Sequence, residues 1–294
     1  MPSDRMVKII ALLCGIFGDF LFPYNVFSIN VAVPTIGKEF AMNPFLLGWI
    51  GTGFLLASAV SQIPAGRLSD IYGRKKFFLY GLVIFIIASS GLPFSTSPEM
   101  LIILRFLQGI GGAMYLVTLN AMVAGVYPAN ERGWAMGVIT TAAAIGVVGG
   151  TYLGGIFTQY MGWRAIFWLN VPMALIIMTL VIWKLKGIEW REAKGEKFDF
   201  RGLALYAAML IALTYGVTQL PSIMGWAFII PGFILFAVFV LVQRKTELPL
   251  INLAVFKNRY FNLSNITHLL YFTGDLAMAY MLNLYLQYGK GFTP

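Results

Sequence analysis

Five polar side chains stand inside long apolar runs of this 294-residue chain: Asp19, Asn25, Arg105, Gln108 and Asp275. Charged groups at that depth are costly to bury, so they face a partner or a water-filled cavity rather than acyl chains. A carboxylate in low dielectric favours its neutral form, which suits a group that loads and releases a proton. The same carboxylate can hold a cationic solute. Asp19 and Asp275 are candidates for either task, and the sequence leaves both open. Asn25 is an amide and carries no proton. Asp19, six residues earlier, points to a face about 120° away at 100° per residue, so it is no simple substitute. Pro23 stands between them, where a bend would change that geometry. His268, two turns before Asp275, reads as a lone polar packing residue or a relay member.

Other chemistries are excluded by what the chain lacks. One cysteine, Cys14, and one histidine, His268, give no disulfide pair and no zinc spacing. No phosphate-binding glycine loop or nucleophile elbow occurs, so no cofactor, metal or enzyme activity is expected. Hydrophobic residues make up 59% of the chain and charged ones 11%, against about 25% charged in a soluble domain. This is the composition of a membrane protein. The net charge of +9 is carried by cations set between apolar runs, with no continuous stripe for nucleic acid. Anionic lipid headgroups are the expected partner.

Two glycine-bearing stretches are built for close turns and close packing. Gly66-Arg67-Leu68-Ser69-Asp70-Ile71-Tyr72-Gly73-Arg74-Lys75-Lys76 concentrates charge between two apolar segments. Its glycines let the chain leave one helix and start another within a few residues. Asp70 and Arg74, four apart, are placed to pair across a helical turn. Further on, Gly146, Gly150, Gly154 and Gly155 form a bare strip on which another helix can seat closely.

The first stretch resembles the signature loop between helices 2 and 3 of the major facilitator superfamily of secondary transporters, G-x-L-(A/S)-D-x-x-G-R-(R/K). Gly66, Leu68, Ser69, Asp70, Gly73, Arg74 and Lys75 fit it. Leu101, Arg105, Gln108, Gly109, Gly111 and Ala113 are similar to the superfamily's helix 4 pattern, and this resemblance implies a proton-coupling role for Arg105. The glycine strip resembles the antiporter motif of helix 5, with Thr151 where that motif has proline. Ile29-Asn30-Val31-Ala32-Val33-Pro34 resembles the end of helix 1 in the fourteen-helix drug/proton antiporter branch, with Asn25 where that branch has an acid and Phe27 where it has threonine.

Nine segments are long enough to span a bilayer, near 7–34, 46–66, 77–95, 100–127, 132–160, 164–184, 201–220, 224–243 and 258–288. Lys and Arg number 17 on the side of the N-terminus and 3 on the other, which places the N-terminus in the cytoplasm and residue 294 outside. The expected fold is an all-α integral membrane protein of the major facilitator type. It comprises a six-helix bundle over 1–184, a cytoplasmic linker over 185–200, two inserted helices over 201–243 and the first helix of a second bundle over 244–294. Phe198-Asp199-Phe200-Arg201-Gly202 resembles the start of the inserted pair. Pro249-Leu250-Ile251-Asn252-Leu253 with Phe256-Lys257-Asn258-Arg259, and Tyr285-Leu286-Gln287 with Gly291-Phe292-Thr293-Pro294, resemble the two ends of the following helix. Five further helices, or a second chain, would complete the architecture. The linker, with cations and acids mixed, reads as solvated.

The resemblance implies a multi-pass plasma-membrane transporter that exports amphipathic or cationic compounds in exchange for protons by alternating access, with Asp70, Arg74 and Lys75 latching the cytoplasmic side. Asp19 and Asp275 would face a shared cavity, with Tyr24, Tyr115 and Trp49 among the aromatics lining it. Two other readings stay open. Thr151 and Asn25 suit a solute or lipid-related permease on the same fold. The absence of five helices suits a truncated, non-transporting partner or sensor.

Overall fold

Helix boundaries follow local chemistry. The computed structural model describes residues 4–187 and 189–292, without the side chains of residues 275, 276 and 279. The first helix, α1 (Asp4–Glu39), runs unbroken through Pro23 and Pro34 and extends past the expected apolar stretch at both ends. Asn43 starts α2 (Pro44–Tyr72), its Oδ1 accepting the Leu46 amide at 2.8 Å. Ser97 starts α4 (Pro98–Val126) in the same way, accepting the Met100 amide at 3.2 Å. In both cases a proline follows the cap, where its missing N–H costs nothing. Between them, α3 (Arg74–Gly91) follows α2 after one residue, Gly73, whose φ of +124° is one that side chains disfavour. α5 covers Ala129–Tyr160 and α6 covers Asn170–Lys184, the latter preceded by a 3₁₀ segment over Trp163–Trp168. The expected sixth span is therefore a short 3₁₀ piece and a helix.

The chain divides into two compact units, Met1–Lys197 and Phe198–Pro294. In the first, α1 lies along α5, and α4 packs between α2 and α3. The α1–α5 contact is close because of three glycines. Gly146, Gly150 and Gly154 step along α5 at the same four-residue spacing as Phe20, Tyr24 and Ser28 on α1. A Cβ on Gly150 would lie 2.9 Å from the Tyr24 carbonyl oxygen, and one on Gly154 would lie 2.7 Å from the Ser28 Cα. The unit's main core includes Leu21, Ile50, Phe78, Phe85, Tyr115 and Trp163, all close to fully buried.

Two polar clusters tie the ends of this unit. At one, Arg164 pairs with Glu39 (Nη2–Oε1 2.7 Å), donates to the carbonyls of Pro93 and Ser95 at 3.0 and 3.2 Å, and stacks on Trp163. Trp163 Nε1 donates to the same Glu39 at 2.7 Å. At the other, Lys8 pairs with Glu131 at 2.6 Å, and Tyr127 donates to the Lys8 carbonyl at 3.0 Å.

The second unit contains a hairpin of α7 (Phe200–Thr218) and α8 (Ile223–Lys245), followed by α9 (Arg259–Leu284) and a single π turn over Tyr285–Gly289. Asp199 caps α7 through the Gly202 amide at 2.8 Å and accepts Gln243 Nε2 of α8 at 2.7 Å. Among the described residues, eight helices, α1–α8, are long and apolar enough to cross a membrane, α3 with Leu92–Phe94 and α6 with Trp163–Leu169 included. α9 forms at the ninth expected position.

Candidate functional site

Five helices of the first unit meet at one buried polar chain. Arg105, on α4, is fully buried. Its Nε donates to the Ile50 carbonyl of α2 at 3.2 Å, its Nη1 donates to Gln108 Oε1 at 2.6 Å, and its guanidinium lies 4.4 Å from the Phe54 ring centre. Gln108 Nε2 is shared between Asn25 Oδ1 of α1 at 3.0 Å and Ser89 Oγ of α3 at 2.9 Å. Asn170, at the start of α6, donates to Asn25 Oδ1 at 2.7 Å, and Asn25 Nδ2 donates to Asn170 Oδ1 at 3.2 Å and to the Leu21 carbonyl at 2.8 Å. All these side chains except that of Phe54 are polar, and all are essentially out of solvent. In low dielectric a satisfied network of this kind holds its members to one arrangement.

The structure thus brings together Asn25, Arg105 and Gln108, and adds Ser89 and Asn170. No carboxylate hydrogen-bonds Arg105 among the described residues; its side-chain partner is the amide of Gln108. One of its nitrogens, Nη2, is buried without a hydrogen-bond partner.

Asp19 has its own surroundings. Asn120 of α4 is the side-chain neighbour of its carboxylate, and the buried Tyr115 ring lies beside the neighbouring Gly18. Asp19 Oδ2, Tyr115 Oη and Asn120 Oδ1 are buried with no hydrogen-bond partner among the described residues. Asp19 and Asn25 therefore serve different neighbours on α4, as their angular separation on α1 requires. Asp275 lies in α9, with its side chain outside the described residues. His268 is exposed, its Nδ1 2.9 Å from the Ser264 carbonyl. Tyr24 and Tyr115 are buried in the core, Tyr24 donating to the Ile166 carbonyl at 2.9 Å, and Trp49 stacks on Phe106.

The α2–α3 loop is more heavily engaged than its charge pattern suggested. Arg74 Nε donates to Asp70 Oδ1 at 2.8 Å, the pairing expected from their spacing, and its Nη2 reaches Glu192 Oε2 at 2.8 Å. Nη1 donates to the Ala121 carbonyl of α4 at 3.3 Å. Lys75 donates its amide to Glu189 Oε1 at 2.9 Å and its Nζ to the Leu185 carbonyl at 2.6 Å. Arg67 pairs with Glu196. Backbone bonds join Arg74 N to Trp190 O at 3.0 Å and Ala193 N to Asp70 O at 3.1 Å. Gly73 sits where a Cβ would meet the Glu189 carboxyl group, and Gly66 lies against Val117 of α4. Residues 185–187 and 189–197 keep many exposed side chains, as a solvated linker would, yet they dock as a strap: Glu192 and Glu196 pair with Arg74 and Arg67, and Glu189 accepts the Lys75 amide. Two ion pairs, with the bonds to and between backbone groups, explain the docking.

On α5, Gly146, Gly150 and Gly154 face α1, while Gly155 is half-buried. Thr151 is exposed, and its hydroxyl donates to the Val147 carbonyl at 3.1 Å. α5 runs continuously over 32 residues.

The family model described as Major Facilitator Superfamily matches residues 15–293. Multidrug resistance protein Stp of Mycobacterium tuberculosis (strain CDC 1551 / Oshkosh) is 31% identical over 301 residues, covering 100% of this chain and 55% of that protein. The riboflavin transporter RibZ of Clostridioides difficile (strain 630) is 29% identical over 287 residues, covering 98% of this chain and 62% of that protein. The tetracenomycin C resistance and export protein of Streptomyces glaucescens is 27% identical over 278 residues, covering 90% and 50%. The chain spans about half the length of the curated relatives it matches.

Proposed function

The chain belongs to the Major Facilitator Superfamily and is a multi-pass membrane protein, and from that premise we propose that it serves proton-coupled export of amphipathic or cationic compounds by alternating access at the cell membrane. The observation that carries this reading is the buried polar chain Arg105–Gln108–Asn25–Asn170, drawn from α1, α4 and α6 and anchored on α2 and α3. Polar groups at bilayer depth mark a solute or ion pathway. The names of two relatives, one for multidrug resistance and one for resistance and export, support the direction.

Within this reading Asp19 carries the coupling proton, since Asn25 cannot, and Asp275 is the second candidate. The Gly66–Lys76 loop lies in the cytoplasm, where its cations follow the positive-inside rule. There Gly66, Asp70, Gly73, Arg74 and Lys75 act as the latch of that side. The strip of Gly146, Gly150, Gly154 and Gly155, with Thr151, keeps α5 seated on α1 while the bundle tilts. The remaining helices of the longer relatives, or a second chain, would supply the opposing wall of the cavity. A permease reading is favoured by one observation: α5 lacks the proline of the antiporter pattern and runs unbroken at Thr151. The relative named as a riboflavin transporter fits that alternative.

Flux in everted vesicles separates the readings. With an imposed proton gradient, rhodamine 6G should accumulate in vesicles carrying the chain, and Asp19→Asn should lower that rate about tenfold or more, the scale of a lost proton-transfer group. Solute movement without proton movement would favour the permease. No movement of any tested solute would leave a non-transporting membrane protein.

A further inference from the structure

The guanidinium of Arg105 remains charged in proteins, yet among the described residues no acid pairs with it. Its contacts are the Ile50 carbonyl, the Gln108 amide and the Phe54 ring, and the groups beyond Gln108 are Asn25, Asn170 and Ser89. Asp19, the acid inside the apolar part of α1, has Asn120 as its side-chain neighbour instead. A buried cation without a counter-charge is among the costliest arrangements a fold can hold. Arg105 Nη2 adds a specific signature: a buried donor with no hydrogen-bond partner, on a side chain with 0% exposure.

We propose that Arg105 is a binding site for the acidic group of the solute, so that among amphipathic compounds this bundle takes those bearing a carboxylate or another monoanionic group. The guanidinium supplies a planar fork of donors suited to a carboxylate, with Nη2 as the unused one. The amides of Gln108, Asn25 and Asn170 hold the fork in place while adding no competing negative charge. Where the resemblance expects an acid this chain has Asn25, and that difference leaves the positive charge for the ligand. Arg105 is closed off from solvent, so a ligand held there is occluded and exchanges only when the surrounding helices part.

The inference rests on the transport reading, but binding tests it without flux. The chain is placed in phosphatidylcholine nanodiscs, and binding of two xanthene dyes of similar shape and opposite charge, fluorescein (an anion at neutral pH) and rhodamine 6G (a cation), is followed by fluorescence anisotropy. Wild type should bind fluorescein the more tightly. Arg105→Gln should weaken fluorescein about thirtyfold, the scale of a truncated buried charge pair, with rhodamine 6G unchanged or tighter. Arg105→Lys, which keeps the charge but not the planar fork, should fall between wild type and Arg105→Gln. Asn25→Asp, which sets a carboxylate across Gln108 and needs no loss of the arginine, should expel fluorescein as Arg105→Gln does.

Equal fluorescein binding by wild type, Arg105→Gln and Asn25→Asp would overturn the proposal, as would a wild-type chain that binds no fluorescein or prefers rhodamine 6G. Fluorescein binding that appears only after Asp275→Asn would show the counter-charge to be the chain's own, and would overturn it too. A chain that binds fluorescein through Arg105 but moves no solute contradicts the transport reading alone. One that exports rhodamine 6G and ignores fluorescein contradicts this inference alone.

Discussion

Gly150→Leu is expected to abolish the folded six-helix unit. A Cβ at this position would lie 2.9 Å from the Tyr24 carbonyl oxygen and 3.0 Å from the Tyr24 Cα, and backbone cannot rotate away as a side chain would. One extra methylene in a packed core costs about 1–3 kcal/mol, and leucine adds four carbon atoms where none fit. The displacement also propagates, because Gly146 and Gly154 hold the adjoining turns of α1 at the same close range. Gly137→Leu is the matched control: it lies on the same helix, is exposed, and has no atom within 4 Å of its Cβ position. Fluorescence-detected size-exclusion chromatography should show loss of the monodisperse peak for Gly150→Leu and a wild-type profile for Gly137→Leu. Matching profiles for the two variants would mean that α5 does not seat on α1 through this strip.

Gln108→Leu is expected to be the next most damaging change. It removes the acceptor of Arg105 Nη1 and the donor shared by Asn25 and Ser89, leaving the guanidinium with a single protein hydrogen bond, to Ile50. Stranding a buried charge in this way costs about 3–5 kcal/mol. Gln108→Glu keeps an acceptor for Arg105 and adds a counter-charge, while losing the donations to Asn25 and Ser89. The order of melting temperatures in one detergent should therefore be wild type above Gln108→Leu, with Gln108→Glu higher than Gln108→Leu. A leucine variant that melts above the glutamate variant would contradict an uncompensated arginine at this point.

What the sequence revealed and what it concealed have one physical division. Contacts set by short helical spacing were legible: Asp70 with Arg74, Arg105 with Gln108, and the four-residue glycine strip on α5. The division of labour between Asp19 and Asn25 was legible too, because it follows from the angle between them on one helix. Asn170 and Ser89 were not. Each is an ordinary polar residue near a helix end, and its role depends on partners on other helices, in Asn170's case 145 positions away. The strap was hidden for a similar reason. Glu189, Glu192 and Glu196 look like a mixed-charge linker until the turn after α6 lays them on Lys75, Arg74 and Arg67. Thr151 showed a departure from a pattern, but only the three-dimensional arrangement shows a continuous helix with the threonine exposed.

Side-specific labelling tests most directly whether these helices cross a bilayer with the Gly66–Lys76 loop on the cytoplasmic side. Cys14, the one native cysteine, is buried and can be replaced by alanine. Exposed positions at opposite ends of the first unit, Lys76 and Glu99, then receive single cysteines. In intact cells a membrane-impermeant maleimide should label Glu99→Cys at once and Lys76→Cys only after permeabilisation. Labelling of both from one side, or of Lys76→Cys from outside, would contradict the account.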